Sequence, residues 1–280
     1  MRELTVITHG RPEQTAPALR RLAELAAAAG VSLRLDEDEA RKHPLEGVEG
    51  VQLGVPLKQE VELCVVLGGD GTILRALQSY AGTGVPVFAV NFGEIGFLAT
   101  VEPAQLEDGM RRALSGDFEL LRLPAIVLGE PRHAAINDVA IHRKVGERVA
   151  EIAYALEDEV LGGSVRCDGL VVATPAGSTG YNLANGGPVM AWGVEGFVVS
   201  FIAPHSLTAR PLVVAPGDRL TIHNRSREAL DIAVDGRPAG EIPAGESIGA
   251  HFERDLGTIA QLPGSSFYRR LREKFGRLAS

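Results

Sequence analysis

The residue types best suited to chemistry in this 280-residue chain lie together in the run Val65-Val66-Leu67-Gly68-Gly69-Asp70-Gly71-Thr72. Gly68, Gly69 and Gly71 let the backbone turn sharply and bring its amides close to a ligand. Such amides, continued by the N-terminus of a helix, make an anion site. Asp70 stands in the middle of it. A carboxylate there repels a phosphate unless it binds a metal, holds a hydroxyl or takes up a proton. Thr72 closes the run, and Arg75, one turn into the following helical stretch, is placed to partner a phosphate. The pattern G-x-x-x-x-G-K-[ST] is missing, and no G-x-G-x-x-G follows a strand, which speaks against P-loop and dehydrogenase chemistry. Nothing resembles a nucleophile elbow.

The elements that must position this loop are written in the hydrophobic pattern. Leu63–Leu67 is a continuous apolar run, as for a central strand buried on both faces, and Ile73–Tyr80 reads as the helix after the turn. Ligands gather at such strand ends in α/β folds. Leu4–Thr8, Val31–Leu35 and Val85–Val90 read as further strands; Leu19 to Ala29, stopped by Gly30, and Pro103–Leu114 read as helices. The charged, Gly- and Pro-broken stretch 36–58 reads as an irregular connection. The alternation predicts an N-terminal α/β domain over residues 1–122, Rossmann-like with a parallel sheet.

The pattern then changes. Short apolar runs separated by turn residues, among them Ile136–His142, Ile152–Leu156, Leu170–Ala173, Phe197–Ile202, Leu220–His223 and Ile232–Val234, predict a β-rich, sandwich-like domain over 123–253. The segment 254–280 carries Phe267, Leu271, Phe275 and Leu278 at helical spacing among Arg269, Arg270, Arg272, Lys274 and Arg277. That is an amphipathic basic helix, expected to return to the N-terminal domain or to a neighbouring subunit.

Bulk properties bound the function. With 28 Lys and Arg against 36 Asp and Glu, the net charge of −8 argues against a protein that coats nucleic acid. The two cysteines, Cys64 and Cys167, sit in apolar strand-like runs and read as buried thiols, not a disulfide framework or metal ligands. No apolar run reaches the roughly 18 residues of a membrane span, and residues 1–9 lack a signal-peptide core, so a cytoplasmic protein without membrane partners is expected.

Further residues have ligand-binding chemistry. Asn137-Asp138 sets an amide beside a carboxylate, suited to a ribose diol and an adenine edge, or else a turn or capping pair. Thr174 to Tyr181 reads as a turn entering a short helix, where amides and hydroxyls can hold a ligand and Tyr181 can stack on a base or pack in the core. Pro204-His205-Ser206-Leu207 reads equally well as a structural turn.

The run Gly68–Thr72 is shared by a kinase superfamily that includes NAD kinases, diacylglycerol and sphingosine kinases and, in variant form, phosphofructokinases. Further blocks resemble the NAD kinase family, in order. Asn91-Phe92-Gly93-Glu94-Ile95-Gly96-Phe97-Leu98 is similar to its N-x-G-x-L-G-F-L block, and Ile136-Asn137-Asp138-Val139 to its Asn-Glu or Asn-Asp block. Asp168-Gly169-Leu170 through Thr174-Pro175-Ala176-Gly177-Ser178-Thr179-Gly180-Tyr181 resembles its long D-G to T-P-x-G-S-T-x-Y motif. Gly186-Gly187-Pro188, Pro204 to Leu207, Arg210-Pro211 and Asp235-Gly236 continue the match.

The resemblance implies in-line transfer of the γ-phosphoryl of ATP, or of a polyphosphate end, to the 2′-hydroxyl of the adenosine ribose of NAD, giving NADP. Asp70 would orient that hydroxyl and accept its proton. Mg²⁺ or another divalent cation would be held mainly through the phosphates, with no dedicated metal-ligand set in the chain. Asn137, Asp138, Arg166, Asp168, Ala176, Thr179, Gly180, Tyr181, Asn182, Leu183 and Ala184 would line the dinucleotide site, and a homodimer or homotetramer would form. Asp138 stands where the family more often has glutamate, Gly180 replaces the usual alanine, and Arg237 follows Asp235-Gly236 where glutamine is common. A lipid kinase sharing only the Gly68–Thr72 loop gives no reason for the later blocks. A non-catalytic dinucleotide sensor gives none for an intact Asp70.

Overall fold

The computed structural model describes residues 2–94, 96–129, 132–157, 159–161 and 163–276, and the chain divides into two compact units. Unit 1 comprises Met1–Arg122 with Gly257–Ser280, and unit 2 comprises Leu123–Leu256.

Unit 1 begins with β1 (Arg2–Thr8), α1 (Pro12–Ala28), β2 (Val31–Arg34), α2 (Glu37–Lys42) and β3 (Val51–Gln52). It continues with β4 (Leu63–Gly68), α3 (Asp70–Ser79), β5 (Val87–Asn91), a 3₁₀ turn at Pro103–Gln105 and α4 (Leu106–Ser115). All its strand pairs are parallel, in the order β3-β2-β1-β4-β5. β4 lies between β1 and β5 and is buried at every position, which is why it reads as an unbroken apolar run. One core cluster gathers Leu19 and Leu22 of α1, Leu4, Val65 and Val90 of the sheet and Met110 of α4.

The stretch expected to be an irregular connection contains α2. Asp36 caps it by accepting the Glu39 amide at 2.9 Å; acidic residues fill its first turn, and Arg41 and Lys42 its last, which suits the helix dipole. α1 also starts earlier than its apolar periodicity indicates, with Pro12 at its first turn, where a missing N–H costs nothing.

Unit 2 holds β6 (Glu119–Leu128, entering from unit 1), β7 (His133–Ala135), β8 (Asp138–Arg143), β9 (Ala150–Leu156), β10 (Glu159–Val160), β11 (Val165–Cys167) and β12 (Gly169–Ala173). After a 3₁₀ turn at Gly177–Thr179 come α5 (Tyr181–Ala184), β13 (Phe197–Ile202), β14 (Leu212–Val214), β15 (Leu220–Asn224), β16 (Leu230–Val234), β17 (Arg237–Ile242) and β18 (Ser247–Gln261). One antiparallel sheet has the order β14-β13-β12-β8-β16-β17. A second antiparallel group joins β11, β9, β15 and the first half of β18. The core between them collects Ile141, Leu170, Val172, Phe197 and Ile232 from the first and Ile152, Ile222 and Phe252 from the second. The molecule is thus a mixed α/β protein, with a parallel-sheet unit followed by an antiparallel β-rich one. Cys64 and Cys167 are both free and buried.

β18 carries the chain back into unit 1, where Ile259 pairs in parallel with Val87 and the helix α6 (Phe267–Phe275) follows. Arg277 and Leu278 lie outside the described residues. Among the described residues no helix is long and apolar enough to cross a membrane.

Candidate active site

In unit 1 the buried strand β4 delivers Gly68 to the sheet edge, and α3 begins two residues later at Asp70. The glycines are there for close approach. A Cβ on Gly68 would stand 2.7 Å from the Thr72 side chain, and one on Gly93 would stand 2.7 Å from the Cα of Gly69. Phe92 adds a backbone bond to Gly68 O at 3.1 Å, so loop and neighbouring segment lie backbone against backbone. The amides of Thr72 and Ile73 turn back onto Gly69 O at 2.9 and 3.1 Å. Those of Asp70 and Gly71 are left at the open N-terminal end of α3, the arrangement that favours an anion.

The Asp70 carboxylate is held at both oxygens. Oδ2 accepts the Phe97 amide at 2.9 Å and Oδ1 the Leu98 amide at 3.0 Å. These donors are presented by the residues that follow β5. Asn91, only 4% exposed, accepts from Gly93 N through Oδ1 at 3.0 Å and donates through Nδ2 to Glu102 at 3.1 Å. Gly96 has φ +62°, and a Cβ there would fall 2.2 Å from Asn91 Nδ2, so no larger residue fits. The block from Asn91 to Leu98 is therefore a device that aims two amides at Asp70.

Arg75 lies on the same helix. Its Nη2 donates to Thr8 O at 3.1 Å and meets Glu39 Oε1 at 3.0 Å. Glu39, 2% exposed, also accepts from Thr8 Oγ1 at 2.5 Å and pairs with Lys42 Nζ at 2.8 Å. Thr8 Oγ1 lies 2.9 Å from Nε2 of His43, whose ring burial holds below its ordinary pKa. The guanidinium proposed as a phosphate partner is thus anchored by a buried carboxylate from α2, a partner that sequence reading missed. The only trace was the N-cap signal at Asp36.

In unit 2 the segment Ile136–Asp138 is held by one residue from far along the chain. Asp235 Oδ2 accepts the Ile136 amide at 2.9 Å, and Oδ1 accepts those of Asn137 and Asp138 at 2.7 and 3.0 Å. Asp235 (φ +46°) and Gly236 (φ +76°) form the two-residue turn between β16 and β17, with Val234 paired to Arg237. Both central residues at positive φ fit a type I′ turn, which Asp-Gly favours. The Asp235-Gly236 block is therefore both a hairpin turn and a clamp.

The Asp138 carboxyl receives no hydrogen bond from the described residues. Burial, with the charge of Asp235 second, pushes its pKa up to about 7. The next block locks against it. Thr174 Oγ1 donates to Ile136 O at 2.6 Å and accepts from Gly177 N at 3.1 Å, and a Cβ on Gly177 would fall 2.0 Å from Asn137 O. Ser178 donates to Pro175 O at 2.7 Å and accepts from Met190 N at 2.8 Å. Buried Ala176 accepts from Thr179 Oγ1 at 3.2 Å, and Ala184 N bonds Gly180 O at 3.2 Å, which closes α5. Leu183 O receives the Gly186 amide at 3.0 Å.

Tyr181 stacks on His142 with ring centroids 5.6 Å apart and planes 23° from parallel. Burial first, then the charges of Asp138 and Asp168, raises its phenol pKa. Burial also keeps the His142 ring below its ordinary pKa. Nothing local in the sequence announces His142 as a stacking partner. Asp168 pairs with Arg143 Nε at 2.6 Å, while Arg166 is exposed on β11 and accepts the His205 amide on its carbonyl at 2.7 Å. That bond ties His205 of the Pro204–Leu207 segment to β11. Asn182 is fully buried and braces Ser178 O and Pro188 O at 3.0 and 2.9 Å. Among the described residues the buried Asn137 Oδ1, beside Asp138, finds no hydrogen-bond donor.

Comparison with known proteins agrees with these blocks. Residues 14–118 match the family described as ATP-NAD kinase N-terminal domain, and residues 136–251 that described as ATP-NAD kinase C-terminal domain. A Gemmatimonas aurantiaca protein named NAD kinase is 35% identical over 227 residues, covering 77% of this chain and 78% of its own. A Lachnoclostridium phytofermentans NAD kinase is 30% identical over 290 residues, 99% of each chain. Among solved structures, yeast NADH kinase complexed with NADH superposes with a TM-score of 0.88 at 22% identity, over 100% of this chain and 89% of that one, a likeness of fold. An Archaeoglobus fulgidus NAD kinase in complex with ATP gives 0.75 at 25% identity, over 100% and 99%. On these matches the chain belongs to the NAD kinase family.

Proposed function

We propose that the chain transfers the γ-phosphoryl of ATP, or a terminal phosphoryl of polyphosphate, to the 2′-hydroxyl of the adenosine ribose of NAD, forming NADP. One observation carries the reading. Asp70 stands at the open end of α3 with each carboxylate oxygen fixed by an amide, so a group that repels phosphate is built rigidly into a phosphate-binding loop. Such a carboxylate has work to do on the acceptor. It orients the hydroxyl for in-line attack and takes its proton as the O–P bond forms, while the donor's bridging O–P bond breaks. The amides at the helix end and Arg75 meet charge on the donor phosphates. A carboxylate is a weak base for an alcohol, so positioning carries more of the effect than basicity.

The nucleoside end of NAD falls to the unit 2 blocks: Asn137 and Asp138 for ribose and adenine edges, Tyr181 for stacking, and Arg166, Asp168, Ala176 and the stretch Thr179 to Ala184 for the surrounding wall. The unpartnered Asn137 Oδ1 and a carboxyl poised near neutral pH support that assignment.

A divalent cation fits the same scheme. Among the described residues no three His, Cys, Asp or Glu side chains cluster to cage a metal, and Mg²⁺ held by substrate phosphates needs only one or two carboxylates. Held mainly through the phosphates, the ion would neutralise charge on the donor. The reading also carries a homodimer or homotetramer in the cytoplasm, which light scattering and cell fractionation check.

The test is direct. The purified protein is incubated with ATP, Mg²⁺ and NAD, and NADP is measured with an NADP-specific dehydrogenase. NADP should accumulate with time and enzyme. Phosphorylation of diacylglycerol without NADP formation overturns the reading in favour of a lipid kinase.

A further inference from the structure

The basic amphipathic helix α6 is explained by neither the phosphate loop nor the nucleoside region. It lies on the segment that holds Asp70. The rings of Phe267 and Phe275 meet that of Phe97 at centroid distances of 5.8 and 6.0 Å, the first edge-on at 73°. Arg270 Nη1 donates to Phe97 O at 3.0 Å and also to Ala99 O. Lys274 Nζ reaches Glu102 Oε1 at 3.3 Å, and Glu102 is the carboxylate that takes the Asn91 amide.

The Phe97 carbonyl and the Leu98 N–H belong to a single peptide group, rigid and planar. One end of that group receives Arg270, and the other donates to Asp70 Oδ1. A charge-assisted bond to the carbonyl strengthens and polarises the N–H on the opposite side. It also fixes which way the plane faces. Turned over, the same peptide would aim its carbonyl oxygen at the Asp70 carboxylate and repel it. The Arg270 fork is half-buried, and burial lowers its guanidinium pKa against the attraction of Asp70, then of Glu273 and Glu102.

We propose that α6 is a positioning element for the phosphoryl-transfer step, with Arg270 locking the 97–98 peptide plane so that its N–H orients Asp70. The inference rests on the kinase reading for its catalytic consequence and stands on its own for the tether. Arg270 touches neither donor nor acceptor; it acts through the backbone.

The experiment compares Arg270→Ala, Arg270→Lys and the exposed-site control Arg272→Ala in the full chain. Three quantities are measured: kcat and KM for NADP formation, the NAD dissociation constant, and hydrogen exchange of the peptide spanning residues 96–101. For Arg270→Ala, kcat should fall about 10- to 100-fold, the cost of misplacing a reacting group by about 1 Å. The NAD dissociation constant should stay within about twofold, as for a residue outside the binding contacts. Exchange at 96–101 should rise about tenfold while exchange in the β4 core is unchanged, a local opening. Arg270→Lys, with a compact ammonium instead of a planar fork, should recover part of kcat and part of the protection. Arg272→Ala should match wild type in every readout.

Wild-type kcat and unchanged exchange in Arg270→Ala overturn the proposal. So does a loss of activity that tracks only the unfolded fraction, with full kcat restored on cooling. If the wild type makes no NADP, the kinase reading fails, and the exchange result alone then decides the tether.

Discussion

Asp70 in unit 1 and Asp138 in unit 2 stand in opposite surroundings. Asp70 begins a helix and has an amide on each oxygen. Asp138 opens a strand, is 9% exposed, and has its backbone clamped by Asp235 while its carboxyl finds no donor among the described residues. Amides on both oxygens aim a carboxylate; burial without such donors pushes it toward the neutral form. The difference teaches that one carboxylate is fixed in direction, as the proposed action on a hydroxyl requires, and the other keeps its oxygens open, as the proposed ribose contact requires. Asp235, clamped onto three amides, shows what unit 2 does when a carboxylate is structural.

The comparison can be broken most sharply at Asp70. Asp70→Asn keeps the size but loses the charge, and kcat should drop about 10²- to 10⁴-fold, the range for a general acid–base residue, with NAD affinity nearly intact. Stopped-assay kinetics with NAD titration check both. Asp235→Asn should come next. It weakens a three-amide clamp worth about 1.5–3 kcal/mol for each charged bond, so the melting temperature should fall and KM for NAD rise about tenfold, with kcat less affected. A loss in kcat alone would place Asp235 on the wrong side of the contrast.

The subtler expectation concerns pH. Asp138 has a folded pKa raised to about 7, against about 3.9 for a free aspartate. Its stabilising proton is fully in place below the unfolded value, and that stability is lost as pH rises through the folded value. Asp138→Asn should therefore melt higher than wild type at pH 8, and the gap should close toward pH 4 in scanning calorimetry. In the same wild-type chain, ribose hydroxyls prefer the ionised carboxyl, so KM for NAD should fall by up to about tenfold between pH 6 and 8. Asp138→Asn should flatten that slope. The smallest effect is expected at Glu39→Gln, which loosens Arg75. KM for ATP should rise about threefold, roughly the 0.6 kcal/mol of a part-exposed pair, with KM for NAD unmoved.

What the sequence made legible followed from local pattern. The apolar run Leu63–Leu67, the glycines around Asp70 and the short runs of unit 2 each declare their element through periodicity and turn chemistry. The blocks themselves were legible, but their purposes were not, because each purpose is a contact at long range. Asp235 reaches back 99 residues to Ile136, and Arg270 reaches 173 to Phe97. Helix α2 escaped because six residues without an apolar stripe give no period to detect; tertiary burial of Glu39, with the Asp36 cap, makes it a helix. His142 beside Tyr181 is likewise a product of neighbouring strands, not of spacing.

The measurement closest to the central claim is phosphorus NMR of the product made from NAD, ATP and Mg²⁺ by the wild-type chain and by Asp70→Asn. The account predicts a monoester phosphate on the adenosine ribose 2′ position from the wild type and almost none from the variant. A phosphate at any other position, or an equal yield from both proteins, contradicts it.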